Sequence, residues 1–256
     1  MIWVGVVEMS RWIVNIIKSF ILIFGLTVVT STFSGVVLTG TRVIFADGQN
    51  EKTIYLQNKD HYPNLVQIWL DDGDENSTLE NSQAPFIISP QIFRINSNTG
   101  QTVRLLFTGE QKISQNTESL FYMNFSEFPA VKKQDADASR LMIVFKNRVK
   151  VFYRPKNLKG SVTDVYKELQ FSLKNNEKSN QLVIQNPAAY YANIKELSLI
   201  SEDGEFVVNK NELIAPHAQV AWEINNNINM LKDFKIKLTL VNDYGALVVH
   251  EITLNK

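Results

Sequence analysis

The sequence contains no cysteine, which excludes thiol catalysis, disulfides, thiolate zinc sites and iron–sulfur ligation together. Its three histidines, His61, His217 and His250, stand far apart and match no metal-binding spacing such as HExxH. Two of them adjoin turn formers, at Tyr62-Pro63 and Pro216, and all three read as surface residues. No excess of charge is present: 26 Lys and Arg balance 26 Asp and Glu, so no global field favours nucleic acid or an anionic membrane. A GxSxG elbow, a P-loop and a GxGxxG turn are missing as well, and no acid–base pair stands out. The carboxylates of Asp71-Asp72-Gly73-Asp74-Glu75 lack EF-hand spacing and read as an Asp-Gly turn after a strand. These absences favour binding over catalysis, with neither enzyme activity, metal nor cofactor expected.

What the chain does have is enough apolar material, 45% of 256 residues, for two cores of roughly 100 to 120 residues each. Its N-terminus carries Arg11 and Lys18 ahead of the apolar run Ser19 to Val29, followed by small residues at Thr32 and Ser34. This order is that of a secretory leader, so residues 1–34 are expected to be cleaved before Gly35. Asn15 and Lys18 interrupt the earlier apolar stretch and argue against a membrane anchor; Met9 offers an alternative start.

Beyond Gly35 the pattern has a period near two, with frequent turn residues and little sustained helical repeat, so the class is all-β. Expected strands are Arg42 to Phe45, Thr53 to Gln57, Leu65 to Leu70, Thr102 to Phe107, Leu120 to Phe125 and Leu141 to Tyr153. Glu127 to Arg140 reads as a loop. Arg154-Pro155 closes the longest strand and opens a turn-prone stretch, which places a domain boundary between 156 and 157. Seven further strands, between Leu169 and Leu254, suit a second sandwich, giving two immunoglobulin-like β-sandwich domains, 35–156 and 157–256. No internal repeat is evident in the sequence.

The most informative segment is Leu141 to Tyr153. In a strand, side chains two apart share a face, so Leu141, Ile143 and Phe145 form one row while Lys146, Arg148 and Lys150 lie on the other. By pattern alone this is an ordinary central strand with a polar end. The other reading is β-strand addition, in which the segment completes a partner's sheet and offers the apolar row to its groove.

Ordered matches along the chain decide between them. Thr41-Arg42-Val43-Ile44-Phe45, Gln67-Ile68-Trp69, Pro90-Gln91-Ile92-Phe93-Arg94-Ile95, Glu118-Ser119-Leu120-Phe121-Tyr122 and Asn124-Phe125-Ser126-Glu127-Phe128-Pro129 precede Lys150-Val151-Phe152-Tyr153-Arg154-Pro155. Asn186-Pro187-Ala188-Ala189-Tyr190-Tyr191 and Asn242-Asp243-Tyr244-Gly245 follow it. With these segments the chain resembles the periplasmic pilus (fimbrial) chaperones of the PapD-like family.

The resemblance implies two sandwiches set at an angle, in a boomerang shape, and no cofactor. It implies that Arg42 and Lys150 anchor the C-terminal carboxylate of a pilus subunit, that Leu141, Ile143 and Phe145 are donor residues filling its groove, and that Glu118, Arg154 and Asp243 form an interdomain network. The implied partners are pilins and adhesin, an outer-membrane usher, and a second copy of the chain capping the free protein. The absence of cysteine and of a long loop before the donor strand places the chain in the short-loop branch of rod-like, adhesin-tipped pili. Its neutrality departs from the basic character common in the family. The alternative is a secreted two-domain β-sandwich adhesion or carbohydrate-binding protein.

Overall fold

The computed structural model describes residues 35–109, 113–130, 141–175, 180–201, 204–224 and 234–253. The expected leader, Met9 and the Lys132 to Asp137 stretch lie outside these residues.

The first sandwich is built from β1 (Val36–Leu38), β2 (Arg42–Ala46), β3 (Glu51–Asn58), β4 (Asn64–Asp71), β5 (Phe86–Ser89), β6 (Ile92–Ile95), β7 (Gly100–Phe107), β8 (Ser119–Pro129) and β9 (Phe145–Arg154). Its two sheets run β1-β3-β7-β5 and β2-β9-β8-β4-β6. The second comprises β10 (Gln170–Asn175), β11 (Asn180–Gln185), β12 (Ala192–Ser201), β13 (Gly204–Ile214), β14 (Gln219–Ile224), β15 (Lys235–Val241) and β16 (Leu247–Thr253). Its sheets run β10-β11-β14 and β13-β12-β15-β16. Among the described residues one α-helix, α1 (Val165–Glu168), and a 3₁₀ turn before it lie at the entry to the second sandwich.

Each sandwich closes on its own core, because alternate residues of facing sheets point at one another. Val66, Ile68, Val103, Leu105, Met123 and Val151 fill the first, capped by the rings of Phe45, Phe86, Phe107 and Tyr153. Leu182, Ile184, Ile194, Leu197, Ile236 and Leu238 fill the second.

The strands exceed the sequence expectation where polar residues are internally satisfied. Glu127 to Pro129, expected in a loop, are the end of β8, paired with Asn64 to Val66 of β4. Glu127 is buried there because its Oε2 accepts the Val36 backbone N–H at 2.5 Å. Likewise His250 is not a free surface residue: it is partly buried, its ring 3.6 Å from and nearly parallel to that of Tyr166.

The two sandwiches also share a repeated device that the sequence conceals. Asn58 Nδ2 donates to the carbonyls of Tyr62, Ile95 and Asn96, at 2.8, 3.3 and 3.2 Å, while its Oδ1 accepts the Asp60 N–H. Asn186 Nδ2 donates to the carbonyls of Tyr190, Ile214 and Ala215, at 2.9, 3.1 and 3.1 Å, while its Oδ1 accepts the Ala188 N–H. In both the amide is fully buried and pins the turn after one strand to the turn after another, and each of those second turns contains a residue with positive φ, Asn98 or His217.

Removing either amide strands buried carbonyls and an N–H, at about 1–3 kcal/mol for each unsatisfied group. Asn58→Ala and Asn186→Ala should each destabilise their sandwich by about 3 kcal/mol. Urea unfolding should show lower midpoints at unchanged slope; wild-type midpoints would mean that the turns close without these pins.

Candidate functional site: an open strand edge ending at two cations

The strand expected from Leu141 begins only at Phe145. Residues Leu141 to Val144 pair with nothing among the described residues and are exposed, Leu141 at 88%, Ile143 at 57% and, at the strand's first position, Phe145 at 61%. Toward its other end β9 becomes a true core strand, with Val151, Phe152 and Tyr153 buried. The segment from Leu141 to Tyr153 therefore contains a buried end and a solvent-exposed end, and the core-strand reading fits only the first.

The pairing of β9 explains the division. On one side β8 covers it from Phe145 to Tyr153, antiparallel, with Glu127 opposite Phe145 and Ser119 opposite Tyr153. On the other side β2 runs parallel and covers only Lys150 to Arg154. Among the described residues no strand pairs this second edge from Phe145 to Val149, so its backbone groups are available to an added strand.

Arg42 and Lys150 stand where that open edge stops. They are direct neighbours in the β2–β9 register. Arg42 Nη1 donates to the Val241 carbonyl at 3.2 Å, and the Asn193 side-chain oxygen, in the amide orientation that satisfies both groups, accepts from Nη1 at 2.5 Å and Nη2 at 3.2 Å. Both partners come from the second sandwich and neither is a carboxylate. The Lys150 ammonium makes no hydrogen bond or ion pair among the described residues. Burial, together with the adjacent Arg42 charge, pulls the Lys150 ammonium below its ordinary pKa. Burial likewise lowers Arg42, with Asp243 opposing that fall. Two partly desolvated cations side by side form a site for an anion, and a carboxylate with two oxygens suits an arginine fork beside a lysine.

The third group of expected residues also comes together. Arg154 Nε and Nη2 donate to Glu118 Oε1 at 3.0 and 2.7 Å, while Nη1 and Nη2 reach the two oxygens of Asp243 at 2.7 and 3.0 Å. Glu118 Oε2 accepts the Tyr191 N–H at 3.0 Å, and the Glu118 N–H donates to the Ala189 carbonyl. Burial works against the Arg154 charge, but its bonds to Asp243 and Glu118 prevail and hold the guanidinium protonated. Phe152 meets Tyr191 edge-on beneath this network, and a Cβ at Gly245 would run into the Thr41 hydroxyl. One arginine thus joins a strand of the first sandwich to the β15–β16 turn of the second.

Asn193 and the Val241 carbonyl, which orient Arg42, were not legible: an asparagine and a backbone oxygen about 150 and 200 residues away carry no local pattern. Asp71, expected in an Asp-Gly turn after a strand, is the last residue of β4 and is buried against Arg148 at 2.7 Å. The row of three β9 cations was the available sign that an acid should be sought.

The family description "Pili and flagellar-assembly chaperone, PapD N-terminal domain" matches residues 35–159, and "Pili assembly chaperone PapD, C-terminal domain" matches residues 164–252. The chain belongs to the PapD-like pilus-assembly chaperones. It is 30% identical over 221 residues to the probable fimbrial chaperone YadV of Escherichia coli K12, covering 86% of this chain and 89% of that protein. With the chaperone protein HifB of Haemophilus influenzae it shares 33% identity over 84% of this chain and 86% of the relative. Among solved structures, the YadV chaperone superposes with a TM-score of 0.73 at 28% identity, covering 86% of this chain and all of that one. The Salmonella enterica complex of the SafA pilin with the SafB chaperone gives 0.70 at 25% identity, over 88% and 97% of the two chains.

Within this pilus chaperone, Arg154 is the group whose loss should be most damaging at the junction. Arg154→Met leaves Glu118, only 3% exposed, without its cation, and breaking such a buried pair costs about 3–5 kcal/mol. The double variant Arg154→Met/Glu118→Leu should recover most of that loss in denaturant unfolding. A double variant as unstable as the single would show that the pair's charges are not the source.

Proposed function

We propose that this protein is a periplasmic chaperone that binds, folds and caps pilus subunits by lending them a strand, then delivers them to an outer-membrane usher. The observation that carries the mechanism is the open edge of β9, flanked by exposed Leu141, Ile143 and Phe145 and ended by Arg42 and Lys150, which form no ion pair among the described residues.

The geometry gives the lent strand a direction. An added strand on the second edge of β9 lies in line with β2, whose first residue is Arg42. For the subunit's terminal carboxylate to meet Arg42 and Lys150, its last strand must run from the Leu141 side toward Lys150, parallel to β9. Carboxylate and cations then fix its register at about 3.3 Å per residue. Burying Leu141, Ile143 and Phe145 in the subunit contributes about 1.5–3 kcal/mol for each side chain. Release follows when another subunit's extension, presented at the usher, replaces the lent segment.

Around this core the reading assigns residues 1–34 to a leader cleaved on export, places the domain boundary between 156 and 157, and assigns Glu118, Arg154 and Asp243 to fixing the angle of the sandwiches. No step requires a cofactor or a catalytic residue. The free chaperone hides its edge in a homodimer, and the lack of cysteine supports the short-loop branch.

Coexpression with a pilus subunit from the same source tests the anchor. Arg42→Ala and Lys150→Ala should remain folded yet retain at least about tenfold less subunit, the loss expected for a charged hydrogen bond. Wild-type capture by both folded variants excludes the anchoring mechanism.

A bound carboxylate favours the Lys150 ammonium and so raises a pKa that burial and Arg42 lower in the free protein. Between the two values binding takes up a proton, so affinity must fall as pH rises through that window. Binding of a peptide with the subunit's C-terminal sequence should therefore weaken from neutral to alkaline pH in wild type but not in Lys150→Arg. Identical pH profiles would place the proton elsewhere.

A further inference from the structure

Lys146, Arg148 and Lys150 lie on one face of β9, each two residues from the next. This spacing creates a register problem. A one-residue slip of an added strand turns its side chains to the wrong face, but a two-residue slip, about 6.6 Å, does not. A subunit carboxylate that slipped by two would still find a cation.

The structure removes the two wrong ones. Arg148 Nη2 is held by Asp71 Oδ1 at 2.7 Å, Nη1 lies 3.5 Å from Glu75, and the guanidinium sits 4.0 Å over the Tyr122 ring. Lys146 Nζ donates to the carbonyls of Glu75 at 2.8 Å and Ser77 at 3.3 Å, beside the Trp69 ring. The segment providing these groups is itself tied down. Asp71 Oδ1 accepts the Gly73 N–H, its Oδ2 accepts from Ser77 Oγ at 3.0 Å and Asn124 Nδ2 at 2.5 Å, and Ser77 Oγ accepts from Trp69 Nε1 at 3.1 Å. Asp71, Asn124, Ser77 and Trp69 are all buried. Of the three cations only Lys150 is left without a partner among the described residues.

We propose that the strap from Asp71 to Ser77 selects the register of the bound subunit, by occupying Arg148 and Lys146 so that Lys150 with Arg42 is the sole cation site for the terminal carboxylate. Asp71 is the positioning residue: it holds Arg148 directly and, through Ser77 and Gly73, shapes the loop that holds Lys146. The inference rests on the subunit-binding reading of the β9 edge.

Because the chain has no cysteine, introduced thiols report register cleanly. The full chain carrying Ile143→Cys is coexpressed with a subunit from the same source, bearing a cysteine at one of two positions, two residues apart, on the strand beside it. After mild oxidation the ratio of slipped to in-register crosslink is measured. Asp71→Asn should raise that ratio about tenfold, and Asp71→Asn/Arg148→Gln, which leaves the strap loosened but removes the competing cation, should return it to the parental value. An unchanged ratio in Asp71→Asn, with subunit still bound and still lost in Lys150→Ala, overturns this inference alone. A rise that the double variant does not reverse also overturns it, because the strap then acts only structurally. If Lys150→Ala captures subunit as wild type does, the underlying binding reading fails instead. If Asp71→Asn does not accumulate as folded protein, Glu75→Gln/Ser77→Ala decides: a raised ratio supports the inference and an unchanged one overturns it.

Discussion

The shortness of β2 is the constraint from which the rest follows. It covers five residues of β9, Lys150 to Arg154, and by beginning at Arg42 leaves the preceding half of that edge unpaired among the described residues. An uncovered edge beside exposed apolar side chains is an aggregation hazard, which natural sheets blunt with charge, bulges or a covering segment. Here, among the described residues, the edge is left open and its far limit carries two cations that form no ion pair. Hydrogen-bond donors and acceptors, apolar surface and charge are thus arranged along one line, in the order in which an extended chain with a free carboxyl end presents the complementary groups.

Much of the framework was legible because strand periodicity is local: β15 was read with both its bounds, and β2, β3, β4 and β7 to within a few residues. What failed was nonlocal. The run from Leu141 to Tyr153 alternates as a central strand with a polar end would, and nothing within it tells that its pairing with β2 begins only at Lys150. Glu127 looked like loop because its charge is matched by a backbone N–H some 90 residues away. Glu118, Arg154 and Asp243 have no common pattern, and only the likeness to a family brought them together before the structure did. The Asn58 and Asn186 pins escaped as a repeat because the device requires one amide and a turn of fixed shape, and the residues around it are otherwise free to differ.

The polar network at the junction is better understood through geometry than through energy. A buried ion pair recovers little more than its desolvation cost, so Glu118, Arg154 and Asp243 do little to explain why the protein folds. Their arrangement matters because Arg42 draws its orientation from the second sandwich, through Asn193 and the Val241 carbonyl, while Lys150 belongs wholly to the first. The geometry of this cation pair therefore depends on both sandwiches. A rotation of one sandwich against the other would remove the Asn193 and Val241 contacts that orient the Arg42 fork beside Lys150. Arg154 spans the same junction only four residues along β9 from Lys150, and its two acidic partners constrain that rotation from both sides. A flexible or apolar junction could be as stable, but it would not hold the Arg42 fork in one orientation beside Lys150.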